Sequence, residues 1–126
     1  MPKSIPNVIG GPDPVGPYSV ATEANGFVFV SGQVGIDPST NSSAGSDVVT
    51  QAKRVMENIG SILGSLGLGY DDVVKTTIFL ADIGDFAAVN EVYGRYFDDG
   101  PPARSTFSVA GLPKDYLVEI EVIAAR

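Results

Sequence analysis

One stretch limits the fold of this chain more than any other. Between residues 48 and 66, Val48, Val49, Ala52, Val55, Met56, Ile59, Ile62, Leu63 and Leu66 recur at steps of three and four, drawing a single apolar stripe along a helix. A helix that is apolar on one side must lay that side against a second layer. Ser46 or Asp47 is placed to cap its start, since a short polar side chain accepts from a free first-turn N–H, and Gly67 is placed to stop it. Gly60 and Gly64 inside the helix each cost about 1 kcal/mol relative to Ala, and close packing on a sheet is the expected reason. Their GxxxG spacing is a membrane signature only within an apolar segment of about 20 residues.

The second layer is expected from strands. Phe27-Val28-Phe29-Val30 is a short run of strand formers ending at Ser31-Gly32, and Val73 to Leu80 is another. A second helix is expected from a cap at Asp82 or Asp85 through Phe97, turning Phe86, Val89, Tyr93 and Tyr96 or Phe97 inward. Gly100-Pro101-Pro102 ends it. Thr106 to Ala110 and Tyr116 to Ala124 read as two strands joined by the Gly111–Asp115 turn. The first 26 residues hold five of the nine prolines and four glycines and read as an extended lead-in with turns. Residues 37 to 46 read as a polar surface loop. The expectation is one α+β domain over residues 1–126, with helices on a face of one sheet and a ferredoxin-like arrangement as the nearest alternative. No run approaches the ~20 apolar residues of a membrane span, and the start lacks an apolar signal region, so a cytoplasmic chain without membrane partners is expected.

The chain contains no cysteine and no histidine. Thiol catalysis, Ser-His-Asp catalysis and metal sites built on those ligands are thereby excluded. A hard-metal carboxylate site is conceivable at Asp71-Asp72 or Asp98-Asp99, but each pair adjoins a turn signal and reads as a solvated loop. A net charge of −7, with the basic residues scattered, opposes binding of a phosphate backbone, so no nucleic-acid partner is expected. Gly64-Ser65-Leu66-Gly67-Leu68-Gly69 closes a helix instead of opening one and reads as a C-cap, not a phosphate loop.

Two places can carry chemistry. In the last strand Val118, Ile120 and Val122 share one face, and Glu119 and Glu121 share the other with Leu117 and Ile123. That second face is either solvated, with Lys75 as a cross-strand partner, or covered by another subunit with the glutamates at a buried polar site. Arg104 follows Pro101-Pro102, whose fixed φ stiffens the approach at the mouth of a strand. It is either a surface arginine paired with a nearby acid or a fork holding a carboxylate.

Several short segments resemble, in order and spacing, the Rid (YjgF) family of reactive intermediate deaminases. They are Gly16-Pro17-Tyr18-Ser19, Phe29-Val30-Ser31-Gly32-Gln33, Val89-Asn90-Glu91-Val92-Tyr93, Pro102-Ala103-Arg104-Ser105-Thr106, and Leu112-Pro113-Lys114 leading to Val118-Glu119-Ile120-Glu121. The match runs from about Ile5 to the C-terminus. The resemblance implies a chorismate-mutase-like α+β fold, a mixed sheet with two helices on one face, and a homotrimer with ligand clefts between subunits. It implies hydrolysis, without cofactor or metal, of 2-imino and enamine acids such as 2-iminopropionate and 2-aminoacrylate to 2-keto acids and ammonia. Carried onto this chain, Arg104 grips the substrate carboxylate and Glu119 positions water or assists proton transfer. Tyr18, Ser31, Gly32, Asn90 and Thr106 line the pocket. Thr106 stands where some members carry cysteine, which puts any thiol role in doubt. The alternatives are a non-catalytic binder of small carboxylates and a chaperone-like or ribonucleolytic trimer of the same fold.

Overall fold

A computed structural model describes residues 3–126. Its five-stranded sheet has the order β1-β2-β7-β5-β6, with β1 at Ala21–Ala24, β2 at Phe27–Gln33, β5 at Val73–Leu80, β6 at Ala103–Ser108 and β7 at Val118–Ala125. A two-strand ribbon, β3 (Ile36–Asp37) and β4 (Ser42–Ser43), lies apart from it. Helices α1 (Val48–Ser65) and α2 (Phe86–Gly94) complete the fold. Strands β5 and β6 are parallel and every other neighbouring pair is antiparallel. Parallel neighbours need a crossover, and α2 supplies it.

The apolar stripe of α1 packs as the periodicity requires. Val55, Met56, Ile59, Ile62 and Leu63 are at most 1% exposed and meet the sheet face made by Val28, Val30, Ile78, Leu80, Val118, Ile120, Val122 and Ala124. Each fully buried aliphatic side chain of this kind contributes about 1.5–3 kcal/mol. Val49, counted in the stripe, is instead 39% exposed. Asp47 is the cap, its Oδ2 accepting from the Thr50 N–H at 2.9 Å. Gly67, at φ +77°, ends the helix with Leu68 N–H donating to Leu63 O and Gly67 N–H to Gly64 O, the paired bonds of a Schellman stop. The two helix glycines part company with expectation. A Cβ on Gly60 would meet the Tyr70 hydroxyl rather than a sheet, and nothing lies within 4 Å of one on Gly64. The Tyr70 hydroxyl donates to Met56 O at 2.6 Å, and burial, with Tyr96 and Glu57 behind it, pushes Tyr70 up to about 12.

Other boundaries differ from the sequence reading for identifiable reasons. The lead-in contains strand β1, turned into β2 by Asn25 (φ 53°) and Gly26 (φ +82°); Asn-Gly between strand formers is the standard two-residue hairpin turn. Strand β2 runs on through Ser31 and Gly32 to Gln33, with a register shift between Val30 and Gln33. The polar loop at 37–46 carries the β3–β4 ribbon. Helix α2 stops at Gly94, short of Phe97, and Phe86 is 40% exposed while Val92 is buried. Asp82 caps the short turn before α2 by accepting from Gly84 N–H, and Asp85 makes no side-chain cap. Strand β6 begins at Ala103 rather than Thr106. It does not pair with β7: the Gly111–Asp115 segment carries the chain from the sheet edge back to its middle, where β7 gains a neighbour on each side. Among the described residues no helix is long and apolar enough to cross a membrane.

Candidate active site

Glu119 sits on β7 opposite Phe79 of β5, and Glu121 opposite Thr77. Both therefore project from the sheet face that the helices leave open. The expected Lys75 partnership is not made: its ammonium donates to Ser105 Oγ at 3.0 Å, and the ion pairs among the described residues are Arg54–Glu57, Arg95–Glu91 and Arg126–Glu23. Burial, and secondarily the charge on Glu121, raise the Glu119 carboxyl above the ordinary carboxylate value. Gly32 lies in the irregular step of β2, and a Cβ there would run into the Glu119 carboxylate. The absence of a side chain at Gly32 thus leaves the carboxylate its present place against the strand.

Around Glu119 a cavity of about 410 Å³ is lined by Tyr18, Ser31, Gly32, Glu119 and Glu121, together with Asp13, Gln33, Pro113, Lys114 and Tyr116 among others. The Ser31 hydroxyl donates to Ser19 O at 2.7 Å and its N–H to Val20 O, which leaves the hydroxyl lone pairs free to accept from a ligand. Tyr18 is 47% exposed and its hydroxyl accepts from Val15 N–H at 3.4 Å. Gln33, 6% exposed, donates to Ser31 O at 3.1 Å.

Arg104 is elsewhere. It is the second residue of β6, opposite Thr76, whose buried hydroxyl is 2.8 Å from that of Tyr93 on α2. Arg104 consequently projects on the helix side of the sheet. Its Nη1 donates to Asn90 Oδ1 at 2.7 Å. Its guanidinium lies 5.0 Å from the ring centroid of Tyr93 and 5.7 Å from that of Phe86, within cation–π range. Thr106 follows on the same side, opposite Ile78, and its buried Oγ1 has no hydrogen-bond partner.

The seven residues singled out from the sequence therefore form two sets: Tyr18, Ser31, Gly32 and Glu119 on the open face, and Asn90, Arg104 and Thr106 on the helix side at the edge strand. Within one chain the sheet itself stands between them. Lys114 and Gln33, within the segments that resemble the family, also line the cavity without having been expected there, and Asp13, between two prolines, carries no sequence signal for it. Among the described residues no group of three carboxylates is arranged to hold a metal ion; Asp72 instead accepts from Gly69 N–H at 2.8 Å.

The family model described as endoribonuclease L-PSP matches residues 9–126. The chain belongs to this family, the Rid family. It is 54% identical over 115 residues to the RutC family protein slr0709 of Synechocystis, covering 90% of this chain and 88% of that one. It is 45% identical to the mouse 2-iminobutanoate/2-iminopropanoate deaminase, covering 91% and 85%. The crystal structure of E. coli TdcF with bound serine superposes with a TM-score of 0.87 at 41% identity, covering 92% of this chain and 93% of that one. A mixed sheet with two helices is thus the family's fold as well as this chain's.

Proposed function

We propose that this Rid chain hydrolyses 2-imino and enamine acids of the 2-iminopropionate and 2-aminoacrylate type to 2-keto acids and ammonia. The reaction takes place in clefts between the subunits of a homotrimer. One observation carries the reading. Glu119 and Arg104 project from opposite faces of one sheet, so a site needing both is completed only when the open face of one copy meets the β6 edge of another. The exposed Phe27, Phe29 and Phe107 on the open face fit a surface that another copy covers. The mouse relative's name supports the reaction class, and the serine in the TdcF structure is a small ligand bearing a carboxylate.

The residues suit the chemistry. Arg104, preset by Asn90 and Tyr93, meets the substrate carboxylate with two parallel N–H donors. The acidic cavity of Asp13, Glu119 and Glu121 favours the protonated, electrophilic iminium. Water attacks the iminium carbon while Glu119 takes its proton, forming the C–O bond and moving the C=N π pair onto nitrogen. Glu119 then returns that proton to the amine. As the hydroxyl proton passes to the carboxylate, the C–N bond breaks, releasing ammonia and the keto acid. Holding water and iminium together supplies the proximity, and no histidine is needed.

The test is ammonia release from freshly generated 2-iminopropionate. Arg104→Ala should lower kcat/KM by about 100- to 1000-fold, the worth of two charge-assisted bonds. An unchanged rate would remove Arg104 from the site. Keto-acid binding by calorimetry with no rate acceleration in the wild-type protein would instead support a non-catalytic carboxylate binder.

A further inference from the structure

We infer that Gln51, a buried residue of α1, is a positioning residue for the Glu119 cavity. The inference rests on the reading that this cavity is a reaction site. Gln51 is 5% exposed. Its Oε1 accepts from the Leu117 N–H at 2.8 Å, and its Nε2 donates to Gly45 O at 3.0 Å. One amide thereby spends its acceptor on the residue that leads into β7, two positions before Glu119, and its donor on the loop after β4. Both bonds are made out of solvent, where an orphaned donor or acceptor is costly.

The segment so anchored is under strain. Lys114 and Asp115 both hold positive φ, 56° and 58°, a region that non-glycine residues occupy only when their surroundings dictate it. Pro113, Lys114 and Tyr116 are cavity wall. Val34 and Ile36, also cavity wall, rest on α1 as well. A Cβ at Gly35 would lie 2.9 Å from Gln51 Cα, so the 34–36 stretch packs directly on the Gln51 backbone, and Asn58 Nδ2 donates to Ile36 O at 2.8 Å. Gln51 is the side chain through which the helix fixes the strained wall relative to the wall it already supports. Loss of that tie lets Lys114–Leu117 relax and shifts the start of β7, moving Glu119 relative to bound water.

The two bonds can be separated. In Gln51→Glu the carboxylate still accepts from Leu117 N–H, but when ionised it presents an acceptor to Gly45 O and repels it. Protonated, it donates there as glutamine does. Burial favours the protonated form; the charged and titratable groups about this point are Lys114, Asp115 and Tyr116 on the wall and Asp47 one helical turn earlier. The ratio of Gln51→Glu to wild-type kcat/KM on 2-iminopropionate should therefore approach one near pH 6 and fall about tenfold by pH 8.5, a sub-ångström to ångström misplacement being worth up to about 100-fold. Gln51→Leu should be low at every pH with kcat falling more than KM rises, and its amide NMR spectrum should shift across Lys114–Glu119. A flat ratio for Gln51→Glu, or an NMR change confined to Leu117 and Gly45, would overturn the inference. If the wild-type protein releases no ammonia, the proposed reaction fails, and the amide spectra of both variants still decide whether Gln51 sets this wall.

Discussion

On the helix-covered face of the sheet Val28, Leu80, Val118 and Ile120 are fully shut off from solvent, whereas on the opposite face Phe27, Phe29 and Phe107 remain 42 to 44% exposed. The same strands supply both faces, because alternate side chains point opposite ways. One face is a closed aliphatic core with a single buried hydroxyl pair, Thr76 and Tyr93. The other mixes phenylalanines with two carboxylates, and one of these, Glu119, is held next to a glycine that leaves it room. A core needs only volume and apolarity. A face with large aromatics and a half-buried acid has the composition of an interface with a polar pocket in it. The difference separates a face that is closed by the helices from one that keeps aromatic rings and carboxylates at the surface, which is the face the proposed function gives to a second copy.

That contrast can be broken by substitution, and the largest effect belongs to the covered face. Ile120→Ala removes a fully buried side chain from the middle strand and should cost about 2–5 kcal/mol in urea unfolding. A loss below 1 kcal/mol would mean that the core does not centre on β7.

Next comes the acid on the open face. Because Glu119 is raised by burial and then by Glu121, the folded chain holds its proton more tightly than the unfolded chain. The associated stability is present below the unfolded carboxylate pKa and is lost as pH rises through the folded value. Glu119→Gln should therefore melt at a higher temperature than wild type at pH 7, with the difference closing toward pH 4, while ammonia release is lost. Equal melting temperatures throughout that range would place Glu119 in open water.

The smallest effect on the isolated chain is expected at Phe107, whose ring meets Phe79 edge-on at 5.3 Å. Phe107→Ala should cost about 1 kcal/mol or less in dilute, dissociated protein, yet weaken self-association measurably by sedimentation. Unaltered sedimentation would argue that this part of the face stays solvated.

What the sequence disclosed follows the range of the forces involved. The α1 stripe and the Val73–Leu80 strand were legible because local period alone determines which residues are buried. The Asn25-Gly26 turn is equally local, but the four residues of β1 follow a proline-rich stretch and are too short for their own period to mark a strand. The partnering of β6 was not local. Pairing it with β7 across the Gly111–Asp115 turn follows from adjacency in the chain, but β7 reaches lower free energy between β2 and β5, where both of its edges are hydrogen-bonded. The facing of Arg104 depends on that choice, since its side is fixed by register with Thr76 and not by anything in its own neighbourhood. Candidate site residues could be named from the sequence; their division between two faces could not.

The division of the site is tested most directly by mixing two inactive proteins. Arg104→Ala retains Glu119, and Glu119→Gln retains Arg104. Unfolded together in equal amounts and refolded, they should recover about a quarter of wild-type ammonia release from 2-iminopropionate, the fraction of clefts that receive one intact residue from each neighbour in a closed ring. Recovery of no activity, with mixed assemblies verified by mass, would contradict a site shared between copies.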